Sequence, residues 1–223
     1  MNFDIISTLL SIPAVLIALT VHEFAHGYAA YRLGDPTARS LGRLTLNPLK
    51  HLDPIGAVCM LFCHFGWAKP VPINPRYFKK PRNGMALTAL AGPLSNFLLA
   101  LLGAFLYVGF QQLYPVLGPI AASSHLVLRL FEFTLIFFFY FHYINLTLGL
   151  FNCLPLPPLD GSRFFLLFLP KRAYFGIMKY ERYIALGLMI LLFLGAFTGF
   201  LSLLVGWIST GMLWIFEFFF ALF

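Results

Sequence analysis

Charged side chains are scarce in this sequence. They make up 10% of its 223 residues, and only eight residues are acidic. Apolar residues account for 60% of the chain and the mean hydropathy is +0.85, values outside the range of soluble domains of this length. The scarcity of charge therefore excludes a soluble protein. It predicts an integral membrane protein that lies in a lipid bilayer.

Cysteine is rare as well, and three residues cannot build a disulfide framework. Cys59 and Cys63 lie four residues apart, with His64 beside them. This spacing allows a second metal site, but it is more typical of small, buried apolar side chains. Cys153 stands apart from this pair, and the sequence assigns it no role.

Long apolar runs predict the topology. Four of them approach or exceed the roughly 20 residues that cross a bilayer, and they cover residues 5–31, 85–113, 126–151 and 183–208. The first lacks the basic start and the small-residue cleavage site of a signal peptide, so we expect it to be retained as a span. The apolar tail 212–223 is too short to span and carries Glu217. It forms either an interfacial segment or a hairpin with the run before it.

Basic residues predict the orientation. Of the fifteen, nine fall between the first two apolar runs and five between the last two. The positive-inside rule places these loops in the cytosol and the N-terminus outside, in a plasma membrane of the bacterial type. The net charge of +7 follows from this rule and does not indicate binding to nucleic acid.

The end of the first apolar run carries the pattern His22-Glu23-x-x-His26. Residues four apart lie on one face of a helix, so the two imidazoles can bind one metal ion. Glu23 lies beside that point as a general base. This is the arrangement of zinc hydrolases, and the alternative is a chance match among core residues. With the N-terminus outside, a rise of about 1.5 Å per residue puts His22 near the cytosolic face of the bilayer.

A third ligand is expected from the segment 152–161, which follows the third apolar run. That run returns the chain to the depth of His22, and prolines then unwind the backbone. Asp160 is the one acid that combines this depth with apolar surroundings, where an unpaired carboxylate is costly. We expect it to bind zinc and to start a short half-helix that extends to residue 169. The alternative is an aspartate that only caps this helix.

Residues 37–75 break the helical pattern. Glycine and proline punctuate short extended pieces, which predicts an insert with strands and turns. Within it, residues 55–65 form half an apolar span, so we expect a re-entrant or interfacial segment. Such an insert is a candidate substrate cradle, and the alternative is a plain cytosolic loop. Outside it, Asn96 either hydrogen-bonds into the site or joins helices, and for His142 and Asn145 we favour structural roles.

Five stretches in this order resemble the site-2 protease family, peptidase family M50, of intramembrane zinc metalloproteases: TVHEFAHG (20–27), GRLTLNPLKHLDPIG (42–56), GWAKPVPINP (66–75), AGPLSN (91–96) and NCLPLPPLDG (152–161). The likeness is to the compact bacterial-type branch without PDZ or CBS domains. It implies one zinc ion per chain held by His22, His26 and Asp160, with Glu23 as catalytic acid and base. It also implies that Asn152 positions substrate or stabilises the oxyanion. The segment 55–65 is shorter than expected for this branch.

The sequence therefore predicts an all-α, multi-pass membrane protein with a single protease domain over residues 1–223. The expected reaction is hydrolysis of peptide bonds in or next to transmembrane segments, with single-pass or signal-peptide-like membrane proteins as substrates. Two alternatives are a catalytically silent membrane scaffold and a zinc transport protein. Nothing in the sequence indicates an oligomer.

Overall fold

The computed structural model describes residues 5–56, 59, 66, 68–122 and 124–222. Within these residues the chain forms nine named helices and three short 3-10 turns, the turns at Pro48–Lys50, Pro75–Tyr77 and Leu166–Phe168. The helices are α1 (Ile5–Arg32), α2 (Thr37–Ser40), α3 (Pro81–Gln112), α4 (Tyr114–Ala122), α5 (His125–Asn152), α6 (Asp160–Phe165), α7 (Lys171–Lys179), α8 (Glu181–Phe193) and α9 (Thr198–Phe220).

Four of these helices are long and apolar enough to cross a bilayer, at Thr8–Arg32, Pro81–Gln112, His125–Asn152 and Thr198–Phe220. The first three agree with the spans predicted at 5–31, 85–113 and 126–151. For the described residues, the predicted all-α architecture with four helices long enough to cross a membrane is thereby confirmed.

The fourth predicted span, 183–208, is wrong. Residues in that range divide between α8 and α9, and the supposed tail 212–223 falls largely within α9. Gly195 ends α8 with a positive φ of 71°, and the Ala196 N–H donates to Leu191 O while the Gly195 N–H donates to Leu192 O. This is the Schellman termination of a helix, which glycine adopts without steric cost.

The predicted strands of the insert 37–75 are also not supported. Within its described residues the backbone forms α2, two 3-10 turns, a helical stretch at 54–56 and one isolated bridge between Leu52 and Ala68. The two Asn-Pro pairs explain the difference, because Asn47 and Asn74 accept hydrogen bonds from backbone N–H groups two residues on. Such local bonds compete with strand pairing. Most of the predicted re-entrant segment 55–65 lies outside the described residues.

The chain divides into two compact units. The motif unit comprises residues 19–95 and 149–198. The bundle unit comprises the described residues of 1–18, 96–148 and 199–223. All of the stretches that carry the family resemblance begin in the motif unit, and only Asn96 at the end of AGPLSN falls in the bundle unit.

Buried polar side chains join the helices of the bundle unit. Asn96 donates to the Ala18 carbonyl at 3.2 Å and to Asn145 Oδ1 at 3.0 Å. His142 donates from Nδ1 to Ala100 O at 2.8 Å, and its Nε2 lies 2.9 Å from Ser209 Oγ. These contacts between helices agree with the structural roles favoured for His142 and Asn145, and with the packing alternative for Asn96.

Candidate metal centre

His22 and His26 lie on the second half of α1, one helical turn apart. Their rings are nearly perpendicular with centroids 4.6 Å apart, and the two Nε2 atoms are separated by 3.0 Å. Both side chains are buried. The helix continues past them to Arg32, and Gly34 beyond its end has a φ of 106°, which permits a Schellman termination. The spacing of the motif on a regular helix is therefore enough to bring two imidazoles to one point.

Asp160 reaches the same point from the other end of the motif unit. After α5, the proline-containing loop brings Leu159 into an extended conformation, and Asp160 is the first residue of α6. Its Oδ2 lies 3.0 Å from His22 Nε2 and 3.2 Å from His26 Nε2. The capping alternative is not supported, because the N-cap position is Leu159 and no side chain caps the helix.

These three atoms fit a zinc ion. In a tetrahedral site with bonds of 2.0–2.1 Å, neighbouring ligand atoms lie about 3.3 Å apart. The observed separations are 3.0, 3.0 and 3.2 Å. Two imidazoles and one carboxylate are also a donor set that zinc prefers. His22, His26 and Asp160 can therefore hold one metal ion.

The charges around the site act on Asp160 and on the nearby Cys153. Burial by itself raises the pKa of the Asp160 carboxyl, but hydrogen bonds and attraction to His22 and His26 outweigh burial and hold that pKa below its usual range. Asp160 is therefore an anion, as a zinc ligand must be. Burial, together with the negative charge of Asp160, raises the pKa of the nearby Cys153 thiol. Both effects favour the protonated thiol of Cys153.

Helix α3 packs against the rings of His22 and His26. The Nδ1–H of His26 donates to the carbonyl of Thr88 at 2.8 Å, which leaves Nε2 as the atom that faces Asp160. One turn later, a Cβ on Gly92 would lie 2.5 Å from His26 Nε2 and 2.6 Å from His22 Cε1. Glycine is thus required at residue 92 to leave room for both rings. The sequence predicted that helices approach closely at Gly92, but it did not predict that the rings of His22 and His26 fill the space there. Nothing in the sequence indicated that the Thr88 carbonyl binds His26.

Glu23 lies on α1 next to His22, and its Oε2 accepts the backbone N–H of Val71 at 2.8 Å. Val71 belongs to an extended segment, 69–74, whose two prolines lack an N–H. Two further amides of this segment are engaged, since Lys69 donates to His51 O and Asn74 donates to Asp35. The segment thus fixes the Glu23 carboxylate, and the role of the insert as a substrate cradle stays a prediction.

Two arginines hold α6, the helix that begins with Asp160. Arg82 at the start of α3 donates to the carbonyls of Leu166, Leu167 and Leu169 just beyond α6. Arg163 within α6 forms an ion pair of 2.6 Å with Glu181 and also contacts Met178. A Cβ on Gly161 would lie 2.3 Å from the Cys153 carbonyl oxygen, so the loop before α6 can pack closely only with glycine there.

The remaining predicted residues lie as follows. Asn152 is the last residue of α5 and is half-buried, and its role in substrate positioning stays a prediction. Cys59 is a half-buried free thiol. Cys63 and His64 lie outside the described residues, so the alternative of a second metal site stays open.

Comparisons with known proteins agree with this geometry. The profile of peptidase family M50 matches residues 10–197, which include all of the site residues named above. YwhC of Bacillus subtilis, whose name describes it as a zinc metalloprotease, is 48% identical over 149 residues, or 67% of this chain and 64% of its own length.

Two mycobacterial proteins named Rip2 carry the same description. The one from Mycolicibacterium smegmatis is 29% identical over 159 residues, or 69% of this chain and 54% of its own length. The one from Mycobacterium tuberculosis is 30% identical over 153 residues, 66% of this chain and 52% of its own length. The chain thus spans between half and two thirds of the length of these curated relatives. No solved structure matches it significantly. The extent of the profile match and the YwhC similarity show that this chain belongs to peptidase family M50, the site-2 protease family that its motifs resemble.

Proposed function

We propose that this protein is an intramembrane zinc metalloprotease that hydrolyses peptide bonds in or next to transmembrane segments of other membrane proteins. The observation that carries this proposal is the convergence of His22, His26 and Asp160 within 3.2 Å, with Glu23 beside them on a helix of spanning length. Burying these polar groups in such a helix is costly unless they have a task.

The chain supplies a general acid and base at this point. Zinc, when held by His22, His26 and Asp160, polarises the scissile carbonyl and makes water more acidic. Glu23 accepts the proton from the attacking water and later donates it to the leaving amine. Because the Val71 N–H binds Oε2, the carboxylate keeps one orientation and Oε1 remains for proton transfer. Thr88 fixes the ring of His26 in the tautomer that a metal ligand needs.

The proposed substrates are single-pass or signal-peptide-like membrane proteins. A transmembrane helix keeps its carbonyls in hydrogen bonds, so a substrate must unwind before water can attack it. The clustering of basic residues in two loops supports a site near the cytosolic face of a bacterial-type plasma membrane. Labelling of introduced cysteines should find positions 79 and 171 accessible from the cytosol and position 119 accessible from outside. The reverse pattern would move the site to the other face.

The test compares Glu23→Gln with Asp160→Asn. The glutamine keeps the shape of residue 23 but cannot accept the proton, so we expect zinc to stay and cleavage to fall by about 10²–10⁴-fold. The asparagine removes the anionic ligand, so both zinc and activity should be lost. The measurements are zinc content per chain and cleavage of a membrane-spanning reporter, with and without a chelator. Full cleavage by a zinc-loaded Glu23→Gln protein would refute the mechanism. A zinc-loaded parent that cleaves no reporter would favour a transporter or a scaffold.

A further inference from the structure

Helix α7 has two different faces. Tyr174 is buried with 8% of its surface exposed, and Ile177 and Met178 beside it are half-buried. The opposite side carries the exposed residues Arg172, Phe175, Gly176 and Lys179. Their spacing of three and four residues places them on one face of the helix. We name these four residues the basic face of α7.

The surroundings of the basic face are cationic and aromatic. Four basic side chains between residues 171 and 183 are exposed, and the single acid of that stretch, Glu181, is paired with Arg163 at 2.6 Å. Large aromatic side chains are exposed in the same region: Phe168 (73%), Phe175 (62%), Tyr180 (55%) and Tyr183 (72%). Basic residues mixed with exposed aromatic rings are typical of helices that lie in the interface of a membrane.

Several kinds of anionic partner could match this positive charge, and the connection of α7 to α8 favours a lipid bilayer. Only Tyr180 separates α7 from α8. Helix α8 is apolar and exposes Leu186, Ile190 and Leu191, side chains that belong in lipid. A basic helix that is joined by one residue to an apolar helix has the lipid headgroups within its reach, and its charge then decides whether it docks on them.

From these observations we propose that the basic face of α7 docks on an anionic bilayer surface, with its lysine and arginine side chains among lipid phosphates and Phe175 inserted at the acyl boundary. Each basic side chain near such a surface is attracted to it over about a Debye length. The surface is separate from the metal centre and does not depend on the proposed proteolysis.

The buried face of α7 connects this surface to the metal-binding helix. The guanidinium of Arg82 lies 4.8 Å from the ring centre of Tyr174, and the same side chain donates to the three carbonyls that follow α6. Arg163 of α6 contacts Met178 of α7 and pairs with Glu181 just beyond it. Docking of α7 on lipid would therefore steady the helix that carries Asp160.

The experiment measures the depth of α7 in the full-length protein. A cysteine at residue 176 is suitable for labelling, because a Cβ on Gly176 would meet no atom within 4 Å. Gly176→Cys is introduced with Cys59, Cys63 and Cys153 changed to alanine, labelled with an environment-sensitive fluorophore, and reconstituted in vesicles with or without phosphatidylglycerol. Lipids with a quencher at the headgroup or in the mid-chain then report the depth. We expect quenching by the headgroup probe in anionic vesicles and a clear loss of it in neutral vesicles.

Two matched variants decide the role of charge. Arg172→Gln with Lys179→Gln should weaken docking by roughly fivefold for each residue removed, and added salt should act in the same direction. Arg172→Lys with Lys179→Arg keeps the charge and should behave as the parent. Equal quenching of the labelled parent in neutral and anionic vesicles would overturn the proposal, even if the glutamine variant failed to fold. Zinc content, measured in parallel, separates a lost surface contact from a lost metal site.

Discussion

His26 in the motif unit and His142 in the bundle unit are anchored in the same way. Each donates from Nδ1 to a carbonyl of α3 at 2.8 Å, Thr88 for the first and Ala100 for the second. The two differ at Nε2. His142 meets the hydroxyl of Ser209, whereas His26 meets His22 and Asp160. In the bundle unit, Nε2 of the buried histidine therefore contacts a neutral hydroxyl. In the motif unit, Nε2 of the buried histidine points toward a possible metal ion.

The two units also differ in charge. Fourteen of the fifteen basic residues lie in the motif unit, and Arg129 alone lies in the bundle unit. The bundle unit satisfies its buried polar groups with hydrogen bonds between helices, such as Asn96 to Asn145. The buried polar side chains named here in the bundle unit therefore join helices, whereas His22, His26 and Asp160 of the motif unit converge on one point.

The strongest test of this contrast is a pair of glycine substitutions on α3. A Cβ at residue 92 would meet the rings of His22 and His26, whereas a Cβ at residue 103 would lie 2.8 Å from the backbone of His142. We expect Gly92→Ala to lower zinc affinity by roughly 10–100-fold or more. Gly103→Ala should lower the free energy of unfolding by about 1–3 kcal/mol but retain zinc. Zinc titration and thermal unfolding of both variants measure these two effects. Equal zinc affinity in the two variants would refute the proposed difference between the units.

A smaller effect is expected at Val71, where the amide rather than the side chain contacts Glu23. Val71→Pro removes the N–H, and Val71→Ala keeps it while shortening the side chain. Hydrogen bonds to charged groups contribute about 1.5–3 kcal/mol, so the proline should lower kcat/KM by roughly 10–100-fold with zinc content unchanged. The alanine variant controls for lost packing against Gly27. If both variants lose activity equally, the amide does not hold Glu23.

The smallest effect is expected in the bundle unit at Ser209. Ser209→Ala removes the hydroxyl that faces His142 Nε2. Hydrogen bonds between transmembrane helices contribute about 0.6 kcal/mol on average and at most about 1.7 kcal/mol, so the thermal midpoint should fall slightly. Cleavage per folded molecule should stay unchanged, in contrast to Gly92→Ala. A large loss of activity in folded Ser209→Ala protein would show that the bundle unit takes part in catalysis.

Much of the site could be predicted from the sequence because its residues are few and chemically distinctive. His22 and His26 follow from helical spacing, and Asp160 follows from the scarcity of acids in an apolar chain. The fourth span was misplaced because hydropathy does not distinguish a glycine within a helix from one that ends it, as Gly195 does. The insert was misjudged because the Asn-Pro pairs, which suit the end of a strand, form local turns here instead.

Local rules act over a few residues, so the sequence by itself determined the first three helical spans, the pairing of His22 with His26 and the chemical type of the third ligand. Contacts between distant segments depend on how the helices pack, and only the tertiary structure decided those. It placed the Thr88 carbonyl behind His26 and left a space at Gly92 that both rings fill. It also directed the Val71 amide to Glu23, 48 residues away in the chain. Backbone carbonyls and amides occur at every residue, so no sequence pattern distinguishes the few that support a site.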